Sequence, residues 1–405
     1  MMQIPVSNCS SCAACANVCA RGAISMTLDQ NGFYRPTIDA SRCIACGACE
    51  RSCPVTKNVK NPNGSTESPQ VFAAYAADEK IRTASSSGGV FSVLAQRVLK
   101  DGGAVVGVAQ LGKTHFGHII VEDESGLEKL RGSKYVQADA GTIYREVRTL
   151  LRTGREVLFS GTPCQVAGLY AVLGKTEYPN LVTVDIVCHG SPSVKVFEKY
   201  IRELETERSV SVLSSRFRDK RNGWRLFSMA HRAIEYSSGD CFQIFKTLRE
   251  DKFMRVFLQN LCLNDSCADC RYGKIPRVAD LTLGDYWNIR NFHPELDDDR
   301  GTSLVLLNTE HGQRLFDEVR PGLRLCASKA EYAILGNPCL VRSSVPHPDR
   351  SKFFADLDSK TLDELIRKYC PYPGPFKRAY MKMRHILGAA KRRLAKKLFG
   401  SSVGG

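Results

Sequence analysis

Two runs of four cysteines near the amino terminus are the residues best suited to chemistry in this chain. The runs are Cys9, Cys12, Cys15 and Cys19, then Cys43, Cys46, Cys49 and Cys53. Both follow the spacing C-x2-C-x2-C-x3-C, and Pro54 comes directly after the second run. Two-residue gaps let successive thiolates converge from one tight loop, which is the ligand spacing of [4Fe–4S] clusters. The spacing therefore predicts two such clusters.

The fourth cysteine of each run sets the pairing between the runs. In two-cluster ferredoxins of the bacterial type, this cysteine binds the cluster of the other run. We therefore predict one cluster on Cys9, Cys12, Cys15 and Cys53, and a second on Cys43, Cys46, Cys49 and Cys19. Ala20 follows the first run where many ferredoxins have proline, but this difference changes no ligand.

Zinc and disulfides are the alternatives for these cysteines. Zinc sites favour two paired C-x2-C knuckles separated by a longer loop, which two compact four-cysteine runs fit poorly. Disulfide frameworks are typical of small secreted domains, and we read no secretory or twin-arginine leader ahead of the cysteines. The chain has 17 cysteines, and we expect a reducing, cytoplasmic location. Peripheral contact with the inner face of the membrane is a further option within that location.

Further cysteines occur at turns between the predicted elements of the later chain. They are Cys164, Cys188, Cys267 and Cys270. Thiolates from these turns could hold a third [4Fe–4S] cluster, with Cys262 as the alternate ligand. Buried structural cysteines are the plain alternative, and a nucleophilic pair of Cys164 with His189 is another. Spacing alone leaves all three readings open.

The segment Ser85–Gly89, SSSGG, is a candidate anion-binding loop. Hydroxyls and glycines at the start of a helix expose N–H groups and favour a bound anion such as the pyrophosphate of a flavin. An ordinary serine-capped helix is the alternative reading. The chain has neither a Walker A motif nor the GxGxxG fingerprint, which disfavours the common ATP and NAD sites.

The elements that must position these residues alternate between strand and helix from Val71 onward. Strands at 71–77, 104–110, 156–160 and 181–187 are each followed by a turn or a helix, which predicts a mixed-sheet α/β body. Loops are predicted over 216–224, 262–270 and 281–287, and a strand and a helix near 301–319. The fold class is therefore α+β/α/β, with predicted units 1–57 (ferredoxin domain), 58–70 (linker), 71–150, 151–328 and 329–405 (peripheral region and basic tail).

Composition adds one local feature. The chain has 405 residues, 43% hydrophobic and 24% charged, with a net charge of +15. Nine lysines and arginines and no acidic residue lie between Lys377 and Lys397. Alternation with apolar residues predicts a basic amphipathic helix, which can bind anionic lipid or an acidic partner, or can remain solvated. No motif supports specific nucleic-acid binding.

Seven motifs occur in an order that resembles a known family. They are SSSGGVFS, RGSKYVQAD, GTPCQVAGL, DIVCHGSPS, FRDKRNGW, SCADC, and LTLGDYW followed by GTSLVLLNT. Together they are similar to the family of coenzyme F420 hydrogenase/dehydrogenase beta subunits, in a form with a fused two-cluster ferredoxin. The resemblance extends from about Val71 to Val319. It implies FAD at Ser87, Gly88, Gly89, Lys134, Gly161 and Thr162, and a third [4Fe–4S] cluster at Cys164, Cys188, Cys267 and Cys270.

The resemblance implies an FAD-dependent oxidoreductase that receives electrons from ferredoxin or another redox protein and acts on an organic small molecule. Candidate catalytic residues are His189 as proton donor, Lys134 near the flavin, and Arg218 with Asp219 and Lys220 as substrate anchors. Coenzyme F420 is one expected substrate, and surface polysaccharide synthesis is another expected setting. Two alternatives are a non-catalytic electron-transfer subunit and a binding protein whose clusters are only structural.

Overall fold

The computed structural model describes residues 8–174 and 176–372, together with Gly374 and Met383. Apart from Met383, the predicted basic tail between Lys377 and Lys397 therefore lies outside the described residues. Among the residues that are described, we find no helix with the length and apolar character needed to span a membrane.

The strands and helices have the following bounds. The strands are β1 (Ile24–Leu28), β2 (Tyr34–Ile38), β3 (Gln70–Ala76), β4 (Ala104–Gln110), β5 (Phe116–Val121), β6 (Val157–Gly161), β7 (Leu181–Ile186), β8 (Val210–Asp219), β9 (Ser228–Glu235), β10 (Cys241–Thr247), β11 (Leu281–Asp285), β12 (Ser303–Leu307) and β13 (Leu323–Ser328). The helices are α1 (Ala14–Val18), α2 (Ala48–Arg51), α3 (Glu79–Ala84), α4 (Val90–Lys100), α5 (Glu124–Leu130), α6 (Ile143–Arg152), α7 (Pro163–Leu173), α8 (Val194–Arg208), α9 (Lys252–Leu258), α10 (Ile289–Phe292), α11 (Glu310–Val319), α12 (Ala330–Gly336), α13 (Arg350–Asp356) and α14 (Leu362–Tyr369).

A two-stranded antiparallel sheet supports the amino-terminal cysteines. β1 pairs with β2, while α1 and α2 each carry the third cysteine of one run. Phe33, at the turn before β2, is fully buried and packs edge-on against Phe354 at 5.8 Å between ring centroids. The predicted small amino-terminal domain is confirmed, and this contact joins it to the body.

An eight-stranded mixed sheet forms the centre of the body, in the order β13-β3-β12-β11-β7-β6-β4-β5. The four neighbours β11, β7, β6 and β4 are parallel. Their side chains are almost continuously buried, as expected for parallel strands covered on both faces. The carboxyl ends of parallel strands meet at one edge, which is where open α/β sheets place their sites.

A second, three-stranded antiparallel sheet has the order β10-β9-β8. It shares a buried core with residues of α8, α9, α13 and α14. Phe197, Phe217 and Phe253 are fully buried at the centre of this core, with ring centroids 5.1 to 6.3 Å apart. The region after Ser328 contributes helices to this core, and the described part of that region contains no strand.

The mixed α/β prediction is confirmed, and several elements match closely. Helix α4 and strand β4 have the predicted bounds, and helix α11 follows strand β12 as predicted. Two loop predictions are wrong. Leu281–Asp285 is a central strand, because β7 and β12 pair with it on its two sides. Arg216–Asp219 belongs to β8, and the charge of Arg218 is balanced there by the distant Asp285.

Candidate functional site

The structure brings the first predicted group of thiols together: Cys9, Cys12, Cys15 and Cys53. Left-handed backbone at Ser11 (φ 59°) and Ala13 (φ 62°) makes the tight loop that turns these side chains inward. Burial, together with the neighbouring thiols Cys9 and Cys53, raises the pKa of Cys15 to about 12. The backbone N–H of Ser11 donates a hydrogen bond to Cys9 Sγ at 3.3 Å. Such N–H donors stabilise charge on cluster thiolates.

The second predicted group is Cys43, Cys46, Cys49 and Cys19. Ala45 (φ 52°) and Gly47 (φ 75°) again supply left-handed turns between the cysteines. Cys19 Sγ accepts a hydrogen bond from the Ala23 N–H at 3.3 Å. Cys49 and Cys15 share a small apolar cluster against which Cys19 packs. The first and second groups are therefore adjacent, and Cys46 is exposed on the outer side.

The third group assembles at the carboxyl edge of the large sheet from Cys164, Cys188, Cys267 and Cys270. Cys164 follows β6 in the first turn of α7, whose start is fixed by a hydrogen bond from the Thr162 N–H to the Gln165 side chain at 2.9 Å. Burial raises the pKa of Cys164 to about 12, and Cys270 and Cys267 add to this rise. Burial also raises the pKa of Cys188, with contributions from Cys267, Cys164 and Cys270.

Cys262, the alternate ligand, has different surroundings. It is fully buried in the core shared with the small sheet. Burial raises its pKa to about 12, and the thiol that adds to this rise is Cys370, which is not a member of the third group. The structure therefore favours Cys188 over Cys262 as the fourth member.

The ferredoxin-like module contacts α6 and α7, and α7 is the helix that carries Cys164. Tyr144 donates a hydrogen bond to the carbonyl of Cys12 at 2.8 Å. The Arg145 guanidinium donates to the carbonyls of Asn17 (2.6 Å) and Cys19 (2.8 Å). A Cβ placed on Gly168 of α7 would lie 3.1 Å from Cys12 Cβ. Sequence reasoning missed these docking residues, since their role depends on contacts between distant parts of the chain.

All three groups have the donor chemistry of a [4Fe–4S] site. The first and second groups lie on turns with the C-x2-C-x2-C spacing, and in the first and third groups neighbouring thiols raise one another's pKa. Thiolates are the ligands that such clusters require. The residues present therefore fit three clusters, while the individual ligand assignments stay predictions.

The anion loop, Ser85–Gly89, is held in place by its neighbours. The Gly88 N–H bonds to Ser303 Oγ at 3.0 Å, and a Cβ at Gly88 would lie 2.4 Å from the Ala74 carbonyl oxygen. Gly89 has φ 89° and begins α4 without a side-chain cap. An uncapped helix start leaves N–H groups without side-chain partners, which is an arrangement that can bind a phosphate.

Cationic side chains surround this loop. Lys220 Nζ donates to the carbonyls of Arg82 (2.6 Å), Ser87 (3.0 Å) and Arg300 (2.8 Å). Burial, together with the charges of Arg82 and Arg218, lowers the pKa of Lys220 to about 7. Arg82 pairs with Asp298 and Arg218 pairs with Asp285, so carboxylates already balance these two charges. A flavin phosphate at this loop stays a prediction.

Lys134, one of the three candidate catalytic residues, has its ammonium group surrounded by backbone carbonyls. Lys134 Nζ donates to the carbonyls of Lys129, Leu130 and Arg131 at the end of α5, and burial lowers its pKa to about 7. This arrangement favours a helix-capping role for Lys134 over contact with a flavin phosphate. The two remaining flavin candidates, Gly161 and Thr162, lie beside Cys164 at the end of β6.

His189 and Arg218 are also engaged by protein groups. His189 Nε2 bonds to Asn260 Oδ1 at 2.7 Å, so the structure pairs this ring with an amide and not with Cys164. Arg218 is 2% exposed and forms an ion pair with Asp285 at 2.6 Å. Asp219, the next candidate anchor, pairs with Arg221 at 2.8 Å. These contacts favour structural roles, and a catalytic role for any of these side chains stays a prediction.

Comparison with known proteins gives three family matches. The amino-terminal model of the family described as "Coenzyme F420 hydrogenase/dehydrogenase, beta subunit" matches residues 71–143. The carboxyl-terminal model of the same family matches residues 154–333. A "4Fe-4S dicluster domain" model matches residues 8–57. The matches together cover the cysteine module and most of the body.

Two relatives extend along most of the chain. A protein described as one of the subunits of the F(420)H(2) dehydrogenase of Methanosarcina mazei is 22% identical over 355 residues, which are 81% of this chain and 90% of the relative. A chain in a xenon-derivatised structure of the F420-reducing [NiFe] hydrogenase complex from Methanosarcina barkeri is 16% identical, with a TM-score of 0.45. That match covers 76% of this chain and 94% of the other.

Proposed function

The chain belongs to the family of coenzyme F420 hydrogenase/dehydrogenase beta subunits, with an amino-terminal 4Fe–4S dicluster domain, and we propose that it is an iron–sulfur flavoprotein oxidoreductase. In this proposal, it links a one-electron redox partner to an organic substrate. When bound, the clusters would transfer single electrons and FAD would exchange two, which together couple one-electron and hydride chemistry.

One observation carries this proposal: the amino-terminal module lies against the third group. Cys12 contacts α7 at Gly168, and Cys164 lies in the first turn of the same helix. The burial of Cys12 and its neighbour Cys164 both raise the pKa of the Cys12 thiol, as expected for thiols that lie close together. Two separately folded electron-transfer units would not need this buried contact.

The exposed face of the second group is the proposed docking surface for the redox partner. Ile44, between Cys43 and Cys46, has 65% of its surface exposed. Arg21, Arg42 and Arg51 lie exposed in the same module, and Arg42 donates to the Arg21 carbonyl at 2.9 Å. An exposed apolar side chain beside three arginines suits an acidic partner such as a ferredoxin.

FAD is the proposed cofactor of the body, with its phosphates at the anion loop. Support comes from the uncapped start of α4 and from the cationic groups around Lys220. The names of the family and of the Methanosarcina mazei relative both refer to F420, so coenzyme F420 is the first substrate to test. Precursors of surface polysaccharides are a second substrate class, which rests on the sequence resemblance alone.

A non-catalytic electron-transfer subunit is the second candidate function. It is favoured by the name of the Methanosarcina mazei relative, which describes one subunit of a larger dehydrogenase. In that case, a partner chain would hold the substrate site. Cytoplasmic location and contact with the inner membrane face are further proposals, and the tail that would make this contact lies outside the described residues.

The test is flavin extraction and turnover on the full chain after anaerobic purification. We expect one FAD per chain, and reduction of coenzyme F420 or of a polysaccharide precursor when reduced ferredoxin is supplied. A chain without FAD that still exchanges electrons with ferredoxin would contradict the flavoenzyme proposal and support the electron-transfer subunit. A chain that exchanges no electrons would contradict both.

A further inference from the structure

A different set of metal-binding side chains lies away from the cysteine groups. His293, Glu295 and Cys326 each offer one ligand atom, and the three atoms lie within 4.8 Å of one another. Cys326 Sγ is 3.4 Å from His293 Nδ1, and Glu295 Oε1 is 3.6 Å from the same nitrogen. Cys326 lies on the edge strand β13, whereas His293 ends α10 and Glu295 lies in the short turn that follows.

Two of the three separations match tetrahedral zinc coordination. Zinc bonds of about 2.3 Å to sulfur and about 2.0–2.1 Å to nitrogen place the two ligand atoms about 3.5 Å apart at a tetrahedral angle. The corresponding separation between nitrogen and oxygen ligands is about 3.4 Å. The observed 3.4 Å and 3.6 Å are close to both values. We propose that His293, Glu295 and Cys326 bind a zinc-class divalent ion.

The surroundings of His293 orient its ring for this role. The residue is 9% exposed, and its Nε2 lies 2.8 Å from Ser328 Oγ. Ser328 Oγ in turn lies 2.5 Å from the Tyr286 hydroxyl. A partner on one ring nitrogen fixes the tautomer and leaves the other nitrogen to bind metal, as in known zinc sites.

The proposed ion has one open coordination position. Three protein ligands leave a fourth place for water or for a side chain of another protein. The Glu295 side chain is 57% exposed, so the proposed ion lies near solvent. Such an ion would tie the loop after α10 to the edge of the large sheet.

By fixing the loop after α10, the proposed ion would also affect the position of the anion loop. The same loop continues to Arg300 and Gly301, whose carbonyls accept hydrogen bonds from Lys220 Nζ (2.8 Å) and Arg82 Nε (3.0 Å). Asp298, also in this loop, pairs with Arg82 at 2.6 Å. The ion would therefore hold the segment that positions the cations behind the anion loop.

The experiment uses the full chain, purified anaerobically with its clusters and freed of loose metal by a chelator. Zinc is added alone, and its affinity is measured by competition with a chromophoric chelator. Zinc-edge X-ray absorption then counts ligands without interference from iron. We expect one zinc per chain, with one sulfur at about 2.3 Å and the remaining nitrogen or oxygen ligands at about 2.0 Å.

Three variants make the result specific. Cys326→Ser is expected to weaken zinc binding by about 100-fold or more, because it removes one of the three protein ligands. Ser328→Ala keeps all three ligands and is expected to weaken binding by about tenfold through loss of ring orientation. Cys241→Ser, at an exposed cysteine on β10, is the matched control and should bind as the unaltered chain does.

Three results would overturn the proposal. The first is the absence of zinc binding at micromolar concentration. The second is a zinc spectrum with about four sulfurs, which would place zinc in a cluster site instead. The third is equal zinc affinity in the Cys326→Ser variant and the unaltered chain.

Discussion

Gly168 of α7 lies directly against Cys12: a Cβ at position 168 would stand 3.1 Å from Cys12 Cβ and 3.2 Å from the Cys12 carbonyl oxygen. The Tyr144 hydroxyl donates to that same carbonyl at 2.8 Å. Since Cys164 begins the same helix, this close approach joins the amino-terminal module to the third group. The absence of a side chain at Gly168 is what permits it.

Replacing Gly168 by valine should separate the two parts without removing any cysteine. The added side chain must displace Cys12 or α7, because the gap cannot hold even one methyl group without a shift. We expect electron delivery from reduced ferredoxin to the body to slow by roughly tenfold or more, since a misplacement of about 1 Å can cost up to about 100-fold in rate. Stopped-flow absorbance measures this rate.

The matched control is Gly112→Val, at an exposed turn where the nearest atom to an added Cβ is 3.6 Å away. Iron content should be equal in both variants and the unaltered chain. An unchanged transfer rate in Gly168→Val, with iron retained, would contradict the role given to this contact.

Ile44 gives a test of the docking surface. Ile44→Asp places a negative charge on the exposed loop of the second group, where an acidic partner is proposed to bind. We expect the KM for reduced ferredoxin to rise by about tenfold with little change in kcat, because single anchor residues often contribute more than 1 kcal/mol to binding. Leu213→Asp, at a 40% exposed position on β8, is the control. Equal KM values in both variants would count against this surface.

His118 gives a pH-dependent prediction. Its ring is buried, stacks on Phe159, and has no hydrogen-bond partner on either nitrogen among the described residues. Burial lowers its pKa from 6.5 to about 4. Between pH 6.5 and about pH 4 the unfolded chain binds more protons than the folded chain. The stability that the neutral ring contributes is therefore fully present above pH 6.5 and is lost as the pH falls toward 4.

His118→Phe removes this proton and should remove the pH effect. The variant and the unaltered chain differ in the free energy of opening, and this difference should shift in favour of the variant by about 2 kcal/mol between pH 7.5 and pH 5. Hydrogen exchange of the β5 amides measures this quantity locally. His115→Phe, at an exposed position before the same strand, should show no such gain. If the difference in opening free energy between His118→Phe and the unaltered chain did not change with pH, the lowered pKa of His118 would be refuted.

Lys220 tests the proposed flavin site. Lys220→Met removes the cation that bonds to the carbonyls of Arg82, Ser87 and Arg300. We expect FAD affinity to fall by about 10- to 100-fold, because the variant loses the three hydrogen bonds through which Lys220 holds the anion loop and its neighbours in place. Lys113→Met, which removes a surface pair with Glu205, serves as the control. Unchanged FAD content in Lys220→Met would argue against phosphate binding here.

The sequence predicted most strongly where local spacing determines structure. The cysteine runs predict the amino-terminal module, and the apolar pattern of α4 and the strand after it predicts their bounds. These features depend on residues close to one another in the chain, so a short window contains the needed information.

Features that depend on distant partners were missed. Leu281–Asp285 looks like a loop because its stability as a strand comes from β7 and β12, which pair on both sides of it. Arg218 looks like a substrate anchor until Asp285 is found 2.6 Å away. The contact between Gly168 and Cys12 has no sequence signal, because only the folded chain brings the two residues together.

The most direct measurement of the central claim is the iron and sulfide content of the anaerobically purified full chain, compared with that of Cys164→Ser. Three four-iron sites predict about twelve irons per chain and about eight in the variant. Cys262→Ser, at a buried cysteine outside the third group, should keep about twelve. About eight irons in the unaltered chain, or equal iron in all three proteins, would contradict a third cluster site at the carboxyl edge of the sheet.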